Sequence, residues 1–139
     1  QMRQSFDTFL REMALDDVNG FGHIATEAAL RGGAAWLEEV LQQIYGNFAY
    51  LKQRLAADCP EIKLTELEGT YLAWMDFGAY CKTQQDVKQL LQDRCRIAMD
   101  YGAWFGGGRH EAFARMNLAT SRENIQEACD RIVREIAKG

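Results

Sequence analysis

One arginine stands out among the residues whose chemistry could serve a ligand. Arg115 lies in a strand-like run, Phe113–Leu118, whose other residues are mostly apolar. Because arginine keeps its charge, an apolar strand that carries one needs an anionic partner nearby. That partner can be an acidic side chain of the same chain or the carboxylate of a ligand, which a planar guanidinium binds through two parallel hydrogen bonds. Spacing alone leaves both alternatives open.

The other candidates for chemistry give weaker patterns. Glycines 106–108 lack the following lysine and the spaced glycines of a phosphate-binding loop, so they predict a flexible turn. His23 and His110 have no serine, cysteine and acid arranged around them as a nucleophilic site requires. His110, beside the glycines, is expected to be solvated. The residues alone therefore describe no self-contained active site.

Composition limits the classes of partner. The chain has 139 residues, of which 47% are hydrophobic and 26% charged, as in a soluble globular domain. Its net charge of -4 gives no basic surface, which argues against a nucleic-acid partner. No apolar run approaches the roughly 18 residues that a membrane-spanning helix needs, so a membrane partner is not expected either.

The cysteines predict neither a metal site nor a disulfide framework. Cys59, Cys81, Cys95 and Cys129 are scattered, without a CxxC pair and without histidines at the spacing of metal ligands. Four reduced thiols in a core-rich, acidic chain are more common than two disulfides outside secreted proteins. We therefore expect reduced cysteines, no metal and a cytoplasmic location.

Hydrophobic periodicity predicts three helices in the first part of the chain, over residues 2–15, 21–30 and 34–58. Residues 16–20 separate the first two. Gly32 and Gly33 separate the second from the third, because two adjacent glycines cost about 2 kcal/mol relative to alanine inside a helix. Pro60, the only proline, forbids continuation of the third helix.

After Pro60 the period changes to two, which predicts strands over residues 62–64 and 71–77. The second of these carries aromatic residues expected in the core, namely Tyr71, Trp74 and Phe77. Capping-box patterns at Thr83 with Asp86 and at Thr120 with Glu123 predict two helices, the first ending near Arg96. Residues 97–99 and Phe113–Leu118 are predicted as the remaining strands.

These elements predict an α/β chain in the α+β two-layer arrangement. A small mixed or antiparallel sheet is covered by helices and preceded by long connecting helices. The corresponding division places a helical connecting segment at residues 1–58 and a small α/β domain at residues 59–139. There are no internal repeats.

Three segments carry a resemblance to a known family. They are LEGTYLAWMDF (67–77), WFG (104–106) with FARMNLA (113–119), and FGHIATEAALRGGAAWLEEVLQQI (21–44). Together, and in the order in which they stand along nearly the whole chain, they resemble the C-terminal small domain of fold-type I pyridoxal-phosphate enzymes. Within the class I/II aminotransferase family, the branch that they resemble is that of cystathionine beta-lyase, a carbon-sulfur lyase.

The resemblance implies roles for individual residues. The arginine of the family's RxN motif binds the α-carboxylate of the substrate, and it corresponds to Arg115. Asn117 would lie on the same strand face and orient the substrate. In aspartate-type relatives, the segment similar to 19–24 reaches the active site of a neighbouring subunit, so His23 or Phe21 could help to select the substrate side chain.

The resemblance also implies a cofactor, pyridoxal 5'-phosphate, and a homodimeric assembly that acts on amino acids. The family's cofactor lysine precedes the region matched here, and none of Lys52, Lys63, Lys82, Lys88 or Lys138 lies in a matching motif. The chain is therefore expected to be a fragment that is inactive alone, with no catalytic or cofactor-binding residue of its own. The longer enzyme is expected to be a β-lyase releasing pyruvate and ammonia, with an aminotransferase or a non-catalytic binding domain as the alternatives.

Overall fold

The computed structural model describes residues 2–15 and 19–138 of the chain. The chain divides into two compact units, Gln1–Glu39 and Val40–Gly139. Within the described ranges, no helix is long and apolar enough to cross a membrane. The division at residue 58 stays a prediction.

The first unit is helical. It contains α1 (Met2–Glu12), α2 (Gly20–Gly32) and the start of α3 (Ala34–Asp58). The break between α2 and α3 is confirmed at Gly33, where a Cβ atom would lie only 2.5 Å from the carbonyl oxygen of Ala29. The prediction that α1 extends to Leu15 is wrong, because Ala14 takes a left-handed φ of 52°. The predicted break at 16–18 lies outside the described residues.

The second unit contains a four-stranded antiparallel sheet in the order β1-β2-β4-β3. The strands are β1 (Lys63–Leu64), β2 (Leu72–Asp76), β3 (Asp100–Tyr101) and β4 (Phe113–Asn117). Between them lie α4 (Gln84–Lys88), which continues as a π-helical turn (Gln89–Arg94), and α5 (Ala103–Gly106), followed by a 3₁₀ turn (Gly107–His110). The helix α6 (Arg122–Ile136) completes the unit.

One face of the sheet and the helices form the hydrophobic core. The sheet contributes Ala73, Met75, Tyr101, Ala114 and Met116. The helices contribute the apolar residues of α3, α4, the π-helical turn and α6, including Leu51, Leu55, Val87, Leu91, Ile125 and Ile132. Helices therefore cover one face of a small antiparallel sheet, which confirms the predicted two-layer α+β class.

Two sequence predictions of elements are wrong in position. The third strand is Asp100–Tyr101 and not 97–99, because Arg96 takes a left-handed φ of 58° and residues 97–99 are irregular. The last helix begins after Ser121, while the Thr120 hydroxyl accepts a hydrogen bond from Asn124, so the predicted Thr120–Glu123 capping box is not formed.

The aromatic residues of the β2 region also divide differently from the prediction. Phe77 is in the core, but Tyr71 is 46% exposed and Trp74 lies half-buried on the other face of the sheet. Alternation along the strand explains the difference for Trp74, since Ala73 and Met75 occupy the core side.

Candidate functional site

The face of the sheet opposite the core carries the candidate site. Side chains alternate along β4, so Ala114 and Met116 point into the core while Phe113, Arg115 and Asn117 share the other face. Trp74 of β2 and Asp100 of β3 lie directly beside Arg115 in the strand register. Antiparallel pairing thus places one aromatic and one acidic side chain on either side of the arginine.

Arg115 forms an ion pair with Asp100. Both Nε and Nη2 of Arg115 donate to the same oxygen, Oδ2 of Asp100, at 3.2 and 2.6 Å. The two side chains are 29% and 44% exposed, so water still reaches the pair. The internal acidic partner that the sequence left open therefore exists. Within the described residues, no hydrogen bond is made by Nη1 of Arg115.

An aromatic cluster lies against the arginine. The guanidinium carbon of Arg115 lies 4.4 Å from the centre of the Phe105 ring, which is a cation–π contact. Trp74 contacts Phe105, His110 and Phe113, with ring centres 5.6 to 5.9 Å apart. The cluster fixes one side of the guanidinium.

The expectations for the glycine loop and for His110 are corrected here. The loop folds as the short helix α5 and the 3₁₀ turn, and His110 is half-buried instead of solvated. A Cβ atom on Gly106 would lie 2.1 Å from Nδ1 of His110, so glycine is required where the ring packs. Nδ1 of His110 is buried, and no group among the described residues forms a hydrogen bond with it.

A shallow cavity of about 360 Å³ opens beside the ion pair. It is lined by Tyr71, Leu72, Ala98, Met99, Asp100, Arg115 and Asn117. Asn117 is exposed, and its Oδ1 accepts a hydrogen bond of 2.8 Å from the backbone N–H of Ala119. This hydrogen bond directs the amide group, whose Nδ2 remains a donor. The structure therefore brings Arg115 and Asn117 to one cavity.

Phe21 and His23 lie in the first unit, in the first turns of α2. Phe21 is 85% exposed, and His23 is exposed as well. The helix begins after Asn19, whose Oδ1 accepts a hydrogen bond of 2.8 Å from the N–H of Gly22. His23 lines a separate cavity of about 530 Å³ together with Thr26, Glu27 and neighbouring residues of the same helix.

The cysteines are buried thiols. All four are free in the structure, and their reduced state stays a prediction. Burial raises the pKa of the Cys81, Cys95 and Cys129 thiols to about 11, and it raises that of Cys59 as well. Such thiols are poor nucleophiles at neutral pH. In the part of the chain that is described, no cluster of three or more His, Cys, Asp or Glu could hold a metal ion.

Comparison with solved structures defines the class of protein. Cystalysin from Treponema denticola, which contains pyridoxal 5'-phosphate, superposes with a TM-score of 0.82 at 30% identity, covering 88% of this chain and 31% of that one. The helix-backed antiparallel sheet thus belongs to the pyridoxal-phosphate-dependent transferase fold.

Sequence comparison then gives the family. Residues 6–132 match the family described as aminotransferase class I and II, and the chain belongs to this family. Cystathionine beta-lyase PatB of Bacillus subtilis (strain 168) is 29% identical over 94% of the chain and 33% of its own length. Cystathionine beta-lyase of Corynebacterium glutamicum is 31% identical over 88% of the chain and 32% of its own length. The chain spans about a third of the length of these relatives.

The residues described here do not fit the attachment of the cofactor. Pyridoxal 5'-phosphate is held through a lysine amine in the enzymes that use it. No lysine lines the cavity beside Arg115. Elsewhere in the described ranges, Lys52 pairs with Glu66 and Lys138 with Glu135, while Lys63 and Lys82 donate to backbone carbonyls. The described residues that line the cavity beside Arg115 therefore offer no amine to which the cofactor could be attached.

Two residues of the site were missed from the sequence, Asp100 and Phe105. Asp100 lies 15 positions from Arg115, and only the β3–β4 register brings them together. Phe105 belongs to the WFG motif. This motif contributes to the family resemblance, but the resemblance implies no role for the Phe105 ring. Asp100 stands shortly before the glycine loop, but no local signal distinguishes it from the other acidic residues of the chain.

Proposed function

We propose that this chain is the part of a longer pyridoxal-phosphate-dependent enzyme that binds the α-carboxylate of an amino-acid substrate. The observation that carries the proposal is the guanidinium of Arg115, which faces an open cavity and keeps Nη1 without a hydrogen bond in the described residues. A guanidinium binds a carboxylate through two parallel N–H donors. Membership of the aminotransferase class I and II family supports this role.

Asn117 is the proposed second contact of the substrate. Because it lies two positions after Arg115 on β4, its side chain reaches the same cavity. Its Oδ1 is occupied by the N–H of Ala119, so the amide presents its Nδ2 donor to an incoming oxygen. A neutral donor beside the guanidinium would fix the rotation of a bound carboxylate.

The reaction that we propose for the longer enzyme is β-elimination from cystathionine or a cysteine-type substrate, which breaks the Cβ–S bond, expels the thiol, and after hydrolysis of the remaining enamine gives pyruvate and ammonia. The names of PatB and of the Corynebacterium glutamicum relative support a carbon-sulfur lyase. When bound, the cofactor supplies an electron sink for removal of the α-proton. Arg115 and Asn117 hold the carboxylate and so orient the amino acid for that step.

Transamination is the second candidate, because the matching family is described as aminotransferases. Both reactions begin with removal of the α-proton and need the same carboxylate contact, so Arg115 serves either one. Turnover of the amino acid only in the presence of a keto-acid acceptor would identify the longer enzyme as an aminotransferase.

We also propose that the chain alone does not catalyse, because none of its lysines lies in the family's cofactor motif. In the longer enzyme, a homodimer would allow Phe21 and His23, both exposed on α2, to contact the site of the other subunit. Four free, buried thiols support a reducing compartment such as the cytoplasm.

The experiment that tests the reaction is an assay of pyruvate release by the full-length protein loaded with pyridoxal 5'-phosphate. Cystathionine is supplied first without and then with a keto-acid acceptor. Steady release without an acceptor supports the β-lyase, and turnover only with an acceptor supports the aminotransferase. Silence under both conditions would favour a non-catalytic binding domain.

The role of Arg115 is tested by the variants R115A and R115K. The proposed fork makes two charge-assisted hydrogen bonds worth about 1.5 to 3 kcal/mol each, so R115A should raise KM by at least about 100-fold for every amino-acid substrate. R115K keeps the positive charge but loses the two parallel donors of the guanidinium. Its KM should therefore lie between the KM values of the wild type and R115A. Arg109, an exposed arginine of the 3₁₀ turn, provides the matched control R109A, which should keep the wild-type KM. An effect of R115A confined to one type of substrate side chain would contradict a carboxylate contact.

A further inference from the structure

Asp100 binds only one edge of the Arg115 guanidinium. A guanidinium offers two pairs of parallel donors, a side edge formed by Nε and one Nη, and an end edge formed by both Nη atoms. Asp100 Oδ2 accepts from Nε at 3.2 Å and from Nη2 at 2.6 Å, which is the side edge. The acidic side chain therefore leaves the end edge available.

The end edge retains enough donors for a carboxylate. Nη1 makes no hydrogen bond within the described residues, and Nη2 has a second N–H beyond the one that points to Asp100. These two N–H groups form the fork that matches the two oxygens of a carboxylate. A substrate can thus bind Arg115 without displacing Asp100.

Two further features restrict the Arg115 side chain. The Phe105 ring covers one face of the guanidinium at 4.4 Å. The position of Asp100 is itself set by the sheet, because Asp100 and Arg115 are direct partners in the β3–β4 register. The guanidinium is consequently held on a face and on an edge by groups that belong to two different elements.

The ion pair is poorly suited to stabilise the fold. Its side chains are 29% and 44% exposed, and exposed ion pairs contribute little because water and salt screen them. A screened pair still fixes geometry, since the two hydrogen bonds to one oxygen define the plane and the direction of the guanidinium. Asp100 therefore matters for orientation more than for stability.

We propose that Asp100 is a positioning residue, which holds the side edge of Arg115 so that the end edge receives the substrate carboxylate. This inference rests on the proposed function of Arg115. Arginine has many rotamers, and an arginine ordered before the substrate arrives loses less freedom on binding. Asp100 thereby strengthens binding without touching the substrate.

The test compares D100A with D100N in the full-length protein loaded with pyridoxal 5'-phosphate. D100A removes the acceptor, and we expect KM to rise by about 5- to 20-fold while kcat stays within about twofold, because a misplaced carboxylate contact weakens binding. D100N keeps an amide oxygen in the place of Oδ2, so it should restore KM to within about threefold of the wild-type value. Asp93, exposed in the π-helical turn, gives the matched control D93A.

A second readout measures binding without turnover. Propionate has a carboxylate but no amine, so its inhibition constant reports the carboxylate contact alone. D100A should raise this constant by the same factor as KM, and D100N should restore it. Thermal melting of each variant checks that the fold is intact, and D100A should melt within a few degrees of the wild type.

The outcomes separate this inference from the proposed function. If R115A leaves KM and the propionate constant unchanged, Arg115 does not bind the carboxylate, and both proposals fail. If R115A raises both constants but D100A does not, only the role of Asp100 is wrong. A lower KM in D100A and D100N would show that Asp100 competes with the substrate. An equal rise of KM in D100A and D100N would show that the oxygen acceptor alone does not position Arg115. Either result would overturn the inference.

Discussion

At the scale of single residues, a buried amide connects α3 to the segment between β4 and α6. Asn47 is 0% exposed, and its Nδ2 donates to the carbonyl oxygens of Leu118 and Thr120 at 3.0 and 2.9 Å. Its Oδ1 accepts from Nε2 of Gln43 at 3.3 Å. Since β4 carries Arg115 and Asn117, this amide fixes the end of the strand that bears the site.

We expect N47A to lower the free energy of unfolding by about 2 to 4 kcal/mol. The substitution removes two hydrogen bonds to carbonyls, leaves the Thr120 carbonyl with the longer hydrogen bond from Nε2 of Gln43, and opens a cavity. Urea unfolding of the chain measures the loss. The matched control is N124A, because Asn124 is exposed and its Nδ2 donates a hydrogen bond of 2.7 Å to the Thr120 hydroxyl. N124A should lower the free energy of unfolding by less than about 1 kcal/mol. Equal losses in the two variants would contradict the role of burial.

The sequence predicts some of the site and misses the rest for a geometrical reason. Arg115 could be selected because a charged residue in an apolar strand is unusual at any position. Asp100 could not be selected, because it is one of 20 acidic residues and its importance depends on strand register. A register error of one residue would have placed Asp100 on the other face of the sheet.

At the scale of elements, the capping box of α4 makes the helix sensitive to acid. Asp86 Oδ2 accepts hydrogen bonds from the backbone N–H groups of Lys82 and Thr83 at 2.9 and 2.8 Å, and the Thr83 hydroxyl accepts from the N–H of Asp86. The backbone N–H groups of Lys82 and Thr83, in that order, hold the pKa of Asp86 below its ordinary value. This is the capping box that the sequence predicted.

The lowered pKa gives a prediction for stability against pH. Because Asp86 has a lower pKa in the folded chain, the unfolded chain binds the proton more readily. Its contribution to stability is therefore present above the unfolded pKa, near about 4, and is lost as the pH falls through the lower folded value. D86N should flatten the fall of stability in this acidic range. D93N, which changes an exposed aspartate without a hydrogen bond in the described ranges, is the control and should keep the wild-type slope in urea unfolding between about pH 5 and 2.

Element positions follow from the sequence where local signals are strong. The long apolar period and Pro60 gave α3 its full length, Ala34–Asp58, and the alternation gave β2 and β4. The π-helical turn Gln89–Arg94 was not predicted, because its period differs little from that of an α-helix over so short a run. The left-handed backbone of Arg96 follows the π-helical turn, and β3 therefore begins closer to the glycine loop than predicted. No local residue preference predicts this change of position.

At the scale of the whole molecule, the helices of the first unit carry exposed apolar residues. No residue of α1 or α2 is buried. The exposed apolar residues of α1 include Met2, Phe6 and Phe9, and those of α2 include Phe21, Ile24 and Leu30. Exposed apolar surface of this extent marks a region that packs against other protein. The chain spans about a third of its relatives' length, and in the longer enzyme that we propose, the remainder of that enzyme is the expected partner.

The isolated chain should therefore associate with itself as its concentration rises. Phe6 and Phe9 are 59% and 52% exposed on α1, so F6Q with F9Q removes apolar surface without removing a core residue. Sedimentation velocity over a hundredfold range of concentration should show larger species for the wild-type chain and fewer for the double variant. The matched control is F105L, which changes an aromatic residue that is 52% exposed in the second unit and should leave association unchanged. A wild-type chain that stays monomeric at the highest concentration would mean that these apolar faces are satisfied without a partner, and the exposed phenylalanines of α1 would then need no contact with the rest of the enzyme.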